Sequence, residues 1–174
     1  VANPAELPEK PDVIIDYSNP ASLDMLLEYC LSTGTPAVFA TTGYNDEQIS
    51  RIKAAGSQIP VFFTFNMSLG INLLVQLAKK AADILGDHFD IEIVEKHHNQ
   101  KIDAPSGTAI MLANAINETL DNSRHYVYDR HSQRKKRDKN EIGMHAIRGG
   151  TIVGERDVIF AGHDEVITLS HSAS

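Results

Sequence analysis

Three short apolar runs alternate with two amphipathic stretches along the first third of the chain. Asp12-Val13-Ile14-Ile15-Asp16-Tyr17, Pro36 to Ala40 and Val61 to Phe65 are short, rich in β-branched and aromatic residues and bounded by turn formers, so each reads as a buried strand. Ser18-Asn19-Pro20 starts a helix between the first two, with Leu23, Leu26, Leu27, Cys30 and Leu31 on one stripe and Gly34 as its stop. Between the second and third, Asn45 and Gln48 have the spacing of a capping box, Ile49 and Ile52 face inward, and Gly56 ends the helix. This β-α-β-α-β order predicts a parallel sheet. Ligands of such sheets bind beyond the carboxyl ends of the strands, here Tyr17-Ser18, Thr41-Thr42 and Thr64-Phe65-Asn66.

After Met67 the pattern changes. Ser68 begins a long helix with Leu74, Leu77, Ala78, Ala81 and Leu85 at helical spacing, closed by Gly86. A strand over Phe89 to Val94, a polar connection over Glu95 to Thr108 and a helix over Ala109 to Leu120 follow, the last with Ala109, Leu112, Ala113, Ile116 and Leu120 on its stripe. Asp121 to Lys139 reads as loop. Its basic run Arg134-Lys135-Lys136-Arg137, flanked by Arg130 and Lys139, reads as solvated, with a cofactor phosphate or a neighbouring subunit as the other possible contacts. Gly143 to Arg148, Thr151 to Gly154, Asp157 to Ala161 and Glu165 to Ser170 read as four short strands. In the last, Val166, Thr168 and Ser170 alternate with Ile167, Leu169 and His171, and the pattern does not choose the buried face. The expected fold class is α/β: a partial Rossmann-like parallel sheet over residues 1–67, then an α+β unit with a mixed sheet over residues 68–174.

Composition narrows the function classes. The 174 residues suffice for one substantial domain or two small ones. A net charge of −7 argues against bulk nucleic-acid binding, and 42% hydrophobic residues suit a soluble globular chain. Cys30 has no second cysteine to pair with and sits among apolar helix positions, where packing is its expected role. No apolar run reaches the ~18 residues of a membrane span, and no secretory signal is seen at Val1, so a cytoplasmic setting is expected.

The chemistry concentrates in Glu95-Lys96-His97-His98-Asn99-Gln100-Lys101-Ile102-Asp103-Ala104-Pro105-Ser106-Gly107-Thr108. Pro105, with no amide to donate, suits the entry to a helix and Ser106 its cap, and amides at the positive end of a helix attract anions. Gly107 would let a ligand approach the backbone. An ordinary capped helix explains Ser-Gly-Thr alone equally well. His97 can exchange a proton near neutral pH, and Lys101 can donate one or offset developing negative charge. If the strand continues, His97 and His98 point to opposite faces. Taken alone, two adjacent histidines are as well explained by a polar surface loop.

Glu95 to Ala109 resembles the signature of the dihydrodipicolinate reductase family: His-His, three residues ending in Lys, a hydrophobic residue, then Asp-Ala-Pro-Ser-Gly-Thr-Ala. Ala40-Thr41-Thr42-Gly43-Tyr44, Asn66-Met67-Ser68-Leu69-Gly70 and Arg148-Gly149-Gly150-Thr151-Ile152-Val153-Gly154-Glu155 resemble further blocks of that family, in its order. The resemblance implies reduction of 4-hydroxy-tetrahydrodipicolinate to tetrahydrodipicolinate with NADH or NADPH, in lysine and diaminopimelate biosynthesis. It implies His97 as acid/base residue, Lys101 as proton donor, and His98, Ser106, Gly107 and Thr108 as holders of the small dicarboxylate substrate. It places Ala40, Thr41 and Thr42 at the cofactor, alanine standing where the family has glycine, and Thr64, Phe65, Asn66 and Met67 beside the nicotinamide. It makes residues 1–67 part of a dinucleotide-binding domain and residues 68–174 the substrate-binding and oligomerisation domain of a homotetramer. The glycine-rich phosphate loop that opens family members and the helix that closes them have no counterpart here, so the chain resembles the interior of a longer protein.

Two readings from other classes stand beside this one. A non-catalytic assembly module would bind substrate without turnover. A metal-dependent hydrolase would use His97 and His98 as ligands, although no helical His-x-x-x-His is present and adjacent histidines on a strand diverge.

Overall fold

The computed structural model describes residues 3–173, in two compact units that divide between Asn66 and Met67. The first unit holds three parallel strands, β1 (Ile14–Asp16), β2 (Ala37–Phe39) and β3 (Val61–Phe63), side by side in that order. The connections are α1 (Leu23–Thr33) and α2 (Asp46–Ala55). Asn19 caps a 3-10 turn over Pro20–Ser22 that runs directly into α1. Gly34, at φ 66, gives α1 its left-handed stop, a conformation that costs a glycine little. The Asn45–Gln48 capping box forms as its spacing predicts, each side chain bonding the other residue's amide. Leu23, Leu27, Cys30, Phe39 and Ile52 form the core between sheet and helices, and Cys30 is wholly buried packing. Leu31, assigned to the apolar stripe, is 37% exposed at its margin.

Among the described residues of this unit, the helices cover one face of the sheet. Ile14, Phe39 and Phe63 point into the helices, while Ile15 and Phe62, on the opposite face by alternation, are 59% and 55% exposed.

The second unit is a mixed five-stranded sheet with two helices on one face. Its strands are β4 (Asp90–His97), β5 (His125–Val127), β6 (Glu141–Arg148), β7 (Glu155–Ala161) and β8 (Val166–Ser172), in the order β5-β6-β4-β7-β8. β5, β6 and β4 run parallel, and β7 and β8 return antiparallel. α3 (Leu69–Leu85) and α4 (Gly107–Thr119) pack against each other and, through Leu74, Ala78, Leu112 and Ile116, onto Ile91, Ile93, Ile142, Val158 and Phe160. Burying each of these large aliphatic side chains contributes about 1.5–3 kcal/mol. Truncating Ile93 or Leu112 to alanine would cost about 2–5 kcal/mol.

Five expectations for this unit change. β4 runs three residues past Val94, because Glu95 and His97 continue the inward face on which Ile91 and Ile93 lie. β5 lies within the stretch assigned to loop, where a three-residue strand is too short to show a period. Thr151 to Gly154 is turn and extended connection, not strand. On α3, Leu77 is 47% exposed and Ile71 and Ala82 are buried in its place, because a helix apolar on several sides does not declare its inner face. The basic segment is anchored at two residues and solvated between them: Arg137 donates to Asp90, Glu92 and the carbonyls of Ile91 and Glu141, and Arg130 to Glu92 and Glu141. Within it Arg134 and Lys136 do remain exposed. β8 turns Leu169 to the helix side, opposite Val158.

Candidate active site

The carboxyl end of β4 carries the polar residues of the inward face. His97 is 5% exposed and Glu95 fully buried, with Ala146 and Arg148 of β6 beside them on one flank and Arg156 of β7 on the other. A buried carboxylate needs partners, and Glu95 has three. Arg148 grips it with two bonds, Nη1 to Oε2 at 2.9 Å and Nη2 to Oε1 at 2.7 Å. The Ser106 amide donates to Oε1 at 3.1 Å, and Nδ1 of His97 meets Oε2. Burial alone would push the Glu95 carboxyl up; the bonds from Arg148, His97 and Ser106 outweigh it and hold the group below the ordinary carboxylate range.

These contacts set the state of His97. Its Nδ1 proton goes to Glu95, and its Nε2 accepts from Nη2 of Arg156 at 2.9 Å. An arginine nitrogen can only donate, so Nε2 presents a lone pair and the ring is neutral. Burial, which Glu95 opposes and the Arg156 and Lys101 charges reinforce, pulls the imidazole below its usual range. Arg156 is itself 8% exposed, and burial lowers it too.

The connection after β4 ends at the start of α4. Ser106 is its N-cap, Oγ accepting from the Ala109 amide at 3.3 Å. Gly107 is exposed, with open space where a side chain would be, and Thr108 is buried behind it. Lys101 is half-buried and paired with Asp103 at 2.7 Å, and the Asp103 carbonyl accepts from Arg148 at 2.6 Å. The structure thus joins His97 and Ser106 through Glu95, and places Lys101 close enough for its charge to act on His97. His98 is half-exposed beside them. Among the described residues no group of three histidine, cysteine or acidic side chains is placed to hold a metal ion. No described helix is long and apolar enough to cross a membrane.

The sequence alone assigns no individual role to Glu95, Arg148 or Arg156. Glu95 had a signal, lying two residues before His97 on the same face of a strand. Arg148 heads a block that resembles the family, but nothing local pairs either arginine with its partner, 53 and 59 residues away in sequence.

In the first unit the buried polar centre is Asp16, at the carboxyl end of β1. It accepts from Thr41 Oγ1 and Tyr44 Oη, each at 2.8 Å, and from the Ser18 hydroxyl and amide. Burial and the bond to Asp16 push the Tyr44 phenol up to about 12. The Thr41 side chain is therefore turned inward. Ala40, Thr64, Phe65 and Asn66 are half-buried at the ends of β2 and β3, and Thr42 is exposed. Met67, where the second unit begins, is exposed.

Comparison with known proteins agrees over nearly the whole chain. Residues 1–67 match the family model for the N-terminus of dihydrodipicolinate reductase, and residues 70–174 match that for its C-terminus. The 4-hydroxy-tetrahydrodipicolinate reductase of Caldanaerobacter subterraneus subsp. tengcongensis is 54% identical over 168 residues, 97% of this chain and 66% of its own. That of Exiguobacterium sibiricum is 51% identical over 169 residues, 97% of this chain and 67% of its own. A dipicolinate-bound dihydrodipicolinate reductase from Paenisporosarcina sp. TG-14 superposes with a TM-score of 0.66 at 29% identity, covering 95% of this chain and 63% of that one. The chain spans about two thirds of the length of the curated relatives it matches. With both family models matched in order and the His97–Lys101 motif at the end of β4, this chain belongs to the dihydrodipicolinate reductase family.

Proposed function

We propose that the protein acts in the NAD(P)H-dependent reduction of 4-hydroxy-tetrahydrodipicolinate to tetrahydrodipicolinate, with loss of water, on the route to diaminopimelate and lysine. The observation that carries this reading is the Glu95–His97–Arg156 line beside the start of α4. It sets a tunable proton carrier among cationic and amide donors suited to a small dicarboxylate.

His97 exchanges a proton at Nε2 while Glu95 holds Nδ1. Lys101, released from Asp103, donates to the reacting centre. The substrate carboxylates are held by His98, Ser106, Gly107 and Thr108. In the first unit, Ala40, Thr42, Thr64, Phe65 and Asn66 suit the nicotinamide end of a dinucleotide, since they lie accessible beyond the carboxyl ends of parallel strands. Thr41 would serve through its backbone, its hydroxyl being committed to Asp16. Met67 would complete the set. The bound NADH or NADPH supplies the hydride.

The enzyme would work in the cytoplasm as a homotetramer. The sheet face away from α3 and α4, with Val166 at 64% exposure and Ile147 at 46%, supports assembly through this unit.

Turnover followed by nicotinamide absorbance, with NADH and NADPH in separate runs, tests the reading. His97→Ala and Lys101→Ala should each lower turnover about 100- to 10,000-fold. Wild-type rates in both would remove the two residues from the mechanism. Dicarboxylate binding with no turnover would favour an assembly module instead.

A further inference from the structure

Arg156 is a buried cation with no acidic partner of its own. Among the described residues no carboxylate lies within ion-pair distance of it, and its Nε has no hydrogen-bond partner. The acid nearest in the network, Glu95, is taken on both oxygens by Arg148. Glu95, Arg148 and Arg156 therefore sum to one unbalanced positive charge around a neutral imidazole, while Lys101 and Asp103 balance each other. Such a cation is unfavourable when buried and strongly attracts an anion. A guanidinium fork matches a carboxylate better than any other anion-binding side chain does.

The surroundings keep the fork in place. At Gly154 a Cβ would stand 2.8 Å from Nη1 and 3.0 Å from Nη2 of Arg156, and 3.1 Å from Nε2 of His97. Glycine there lets the backbone close against both groups. The bonding sequence runs from the start of α4 through Glu95 and His97 to Arg156. His97 thus lies between two anion-attracting features.

We propose that Arg156 receives one carboxylate of a dicarboxylate ligand, and that its capture uncovers Nε2 of His97 for protonation. This deepens the dicarboxylate reading above and rests on it. While Arg156 donates to Nε2, that nitrogen has no proton to give and no lone pair to accept one. A carboxylate that draws Arg156 onto itself frees the lone pair and cancels the excess charge. The other charged groups facing the ring, Glu95 on its own strand, Arg148 from β6 and Lys101 with Asp103 from the connection, need not move. A monocarboxylate held only at the start of α4 leaves Arg156 on the imidazole. Arg156 is then the residue that selects two carboxylates over one and couples that selection to the proton carrier.

The test is calorimetric titration of the chain with pyridine-2,6-dicarboxylate and with pyridine-2-carboxylate, in wild type, Arg156→Gln and Arg156→Lys. Nitrogen NMR of the His97 ring runs alongside. Wild type should prefer the dicarboxylate by about 10- to 100-fold, as one charge-assisted bond pair implies. Arg156→Gln should bring the two ligands to within about threefold, and Arg156→Lys, a charge without the fork, should keep part of the preference. At pH 7 the dicarboxylate should convert the wild-type His97 ring from neutral to doubly protonated, and the monocarboxylate should not. Full preference in Arg156→Gln overturns the proposal. So does a saturated wild-type complex in which His97 stays neutral, a readout that needs no variant to fold. If wild type binds neither ligand, the dicarboxylate reading itself fails and takes this one with it.

Discussion

Arg148 and Glu95 meet as two parallel hydrogen bonds, 2.7 and 2.9 Å long, between adjacent parallel strands and almost out of reach of water. The pair does two jobs. It compensates the charge that fixes the His97 tautomer, and it ties β6 to the loop before α4 through the Asp103 carbonyl.

Glu95→Gln should therefore destabilise the second unit by about 3 kcal/mol, because a mostly buried arginine loses its counter-ion while the packing volume is kept. Urea unfolding of wild type and variant measures this. Equal midpoints would mean that Arg148 finds another partner at no cost.

The same pair predicts acid lability. The folded Glu95 carboxyl lies below its ordinary 4.5, so its contribution is fully present above that value and is lost as pH falls through the depressed one. His97, lowered from 6.5, acts in the same direction in a higher window, since the unfolded chain takes up its proton first. Stability should begin to fall below about pH 6.5 and steepen below about pH 4.5. Urea midpoints collected against pH check the two steps, and Glu95→Gln should flatten the lower one.

In the first unit, Tyr44→Phe should cost about 1.5–3 kcal/mol by taking a hydroxyl donor from the buried Asp16 carboxylate. Absorbance titration offers a second check. One of the five tyrosines should ionise only near pH 12, and that late step should vanish in the variant.

Gly143 lies on the outer sheet face beneath Glu92. A Cβ there would come within 1.7 Å of Glu92 Oε2 and displace the acceptor that Arg130, Arg137 and His145 share. Gly143→Ala should release the basic segment, and limited trypsin digestion should cut at Arg134, Lys135 or Lys136 well before it does in wild type. An unchanged digestion pattern would show that Asp90, Glu141 and the backbone carbonyls suffice to hold it.

Gly107→Val separates binding from folding. Open space surrounds that position, so stability should change by less than about 1 kcal/mol, a β-branched residue costing little at a helix start. Pyridine-2,6-dicarboxylate affinity, measured by calorimetry, should fall at least about tenfold if a carboxylate sits over the start of α4. Unchanged affinity would place the carboxylates elsewhere.

What the sequence disclosed followed the strength of local signals. Apolar runs with caps located β1 to β3, α1, α2 and α4, and the Asn45–Gln48 spacing anticipated hydrogen bonds that are present. Local patterns failed where polar residues occupy inward positions. The apolar pattern ends β4 at Val94, because Glu95 and His97 interrupt its inward face, although those are the residues that make the site. The motif points to His97 and Lys101, but Arg156, which keeps the His97 ring neutral, and Arg148, which balances Glu95, lie on strands far along the chain. Arg130 and Arg137 misled for a related reason. Their charges look solvated until Asp90, Glu92 and Glu141 are brought beside them, whereas Arg134, Lys135 and Lys136 are exposed as their pattern suggests.

The strand order has a kinetic consequence. Glu95, Arg148 and Arg156 align only when β6 and β7 have both docked on β4, and β6 arrives parallel, after the chain has traversed α4 and β5. A slip of one residue in either ladder would turn its arginine to the opposite face. Contacts separated by 53 and 59 residues close late, because long loops must lose their freedom before such contacts reward it. A partly folded chain therefore holds its histidine without either neighbour. The nitrogen resonances of His97, followed during refolding, would report the last strand settling into register, and the proton carrier would come into being only as the sheet is finished.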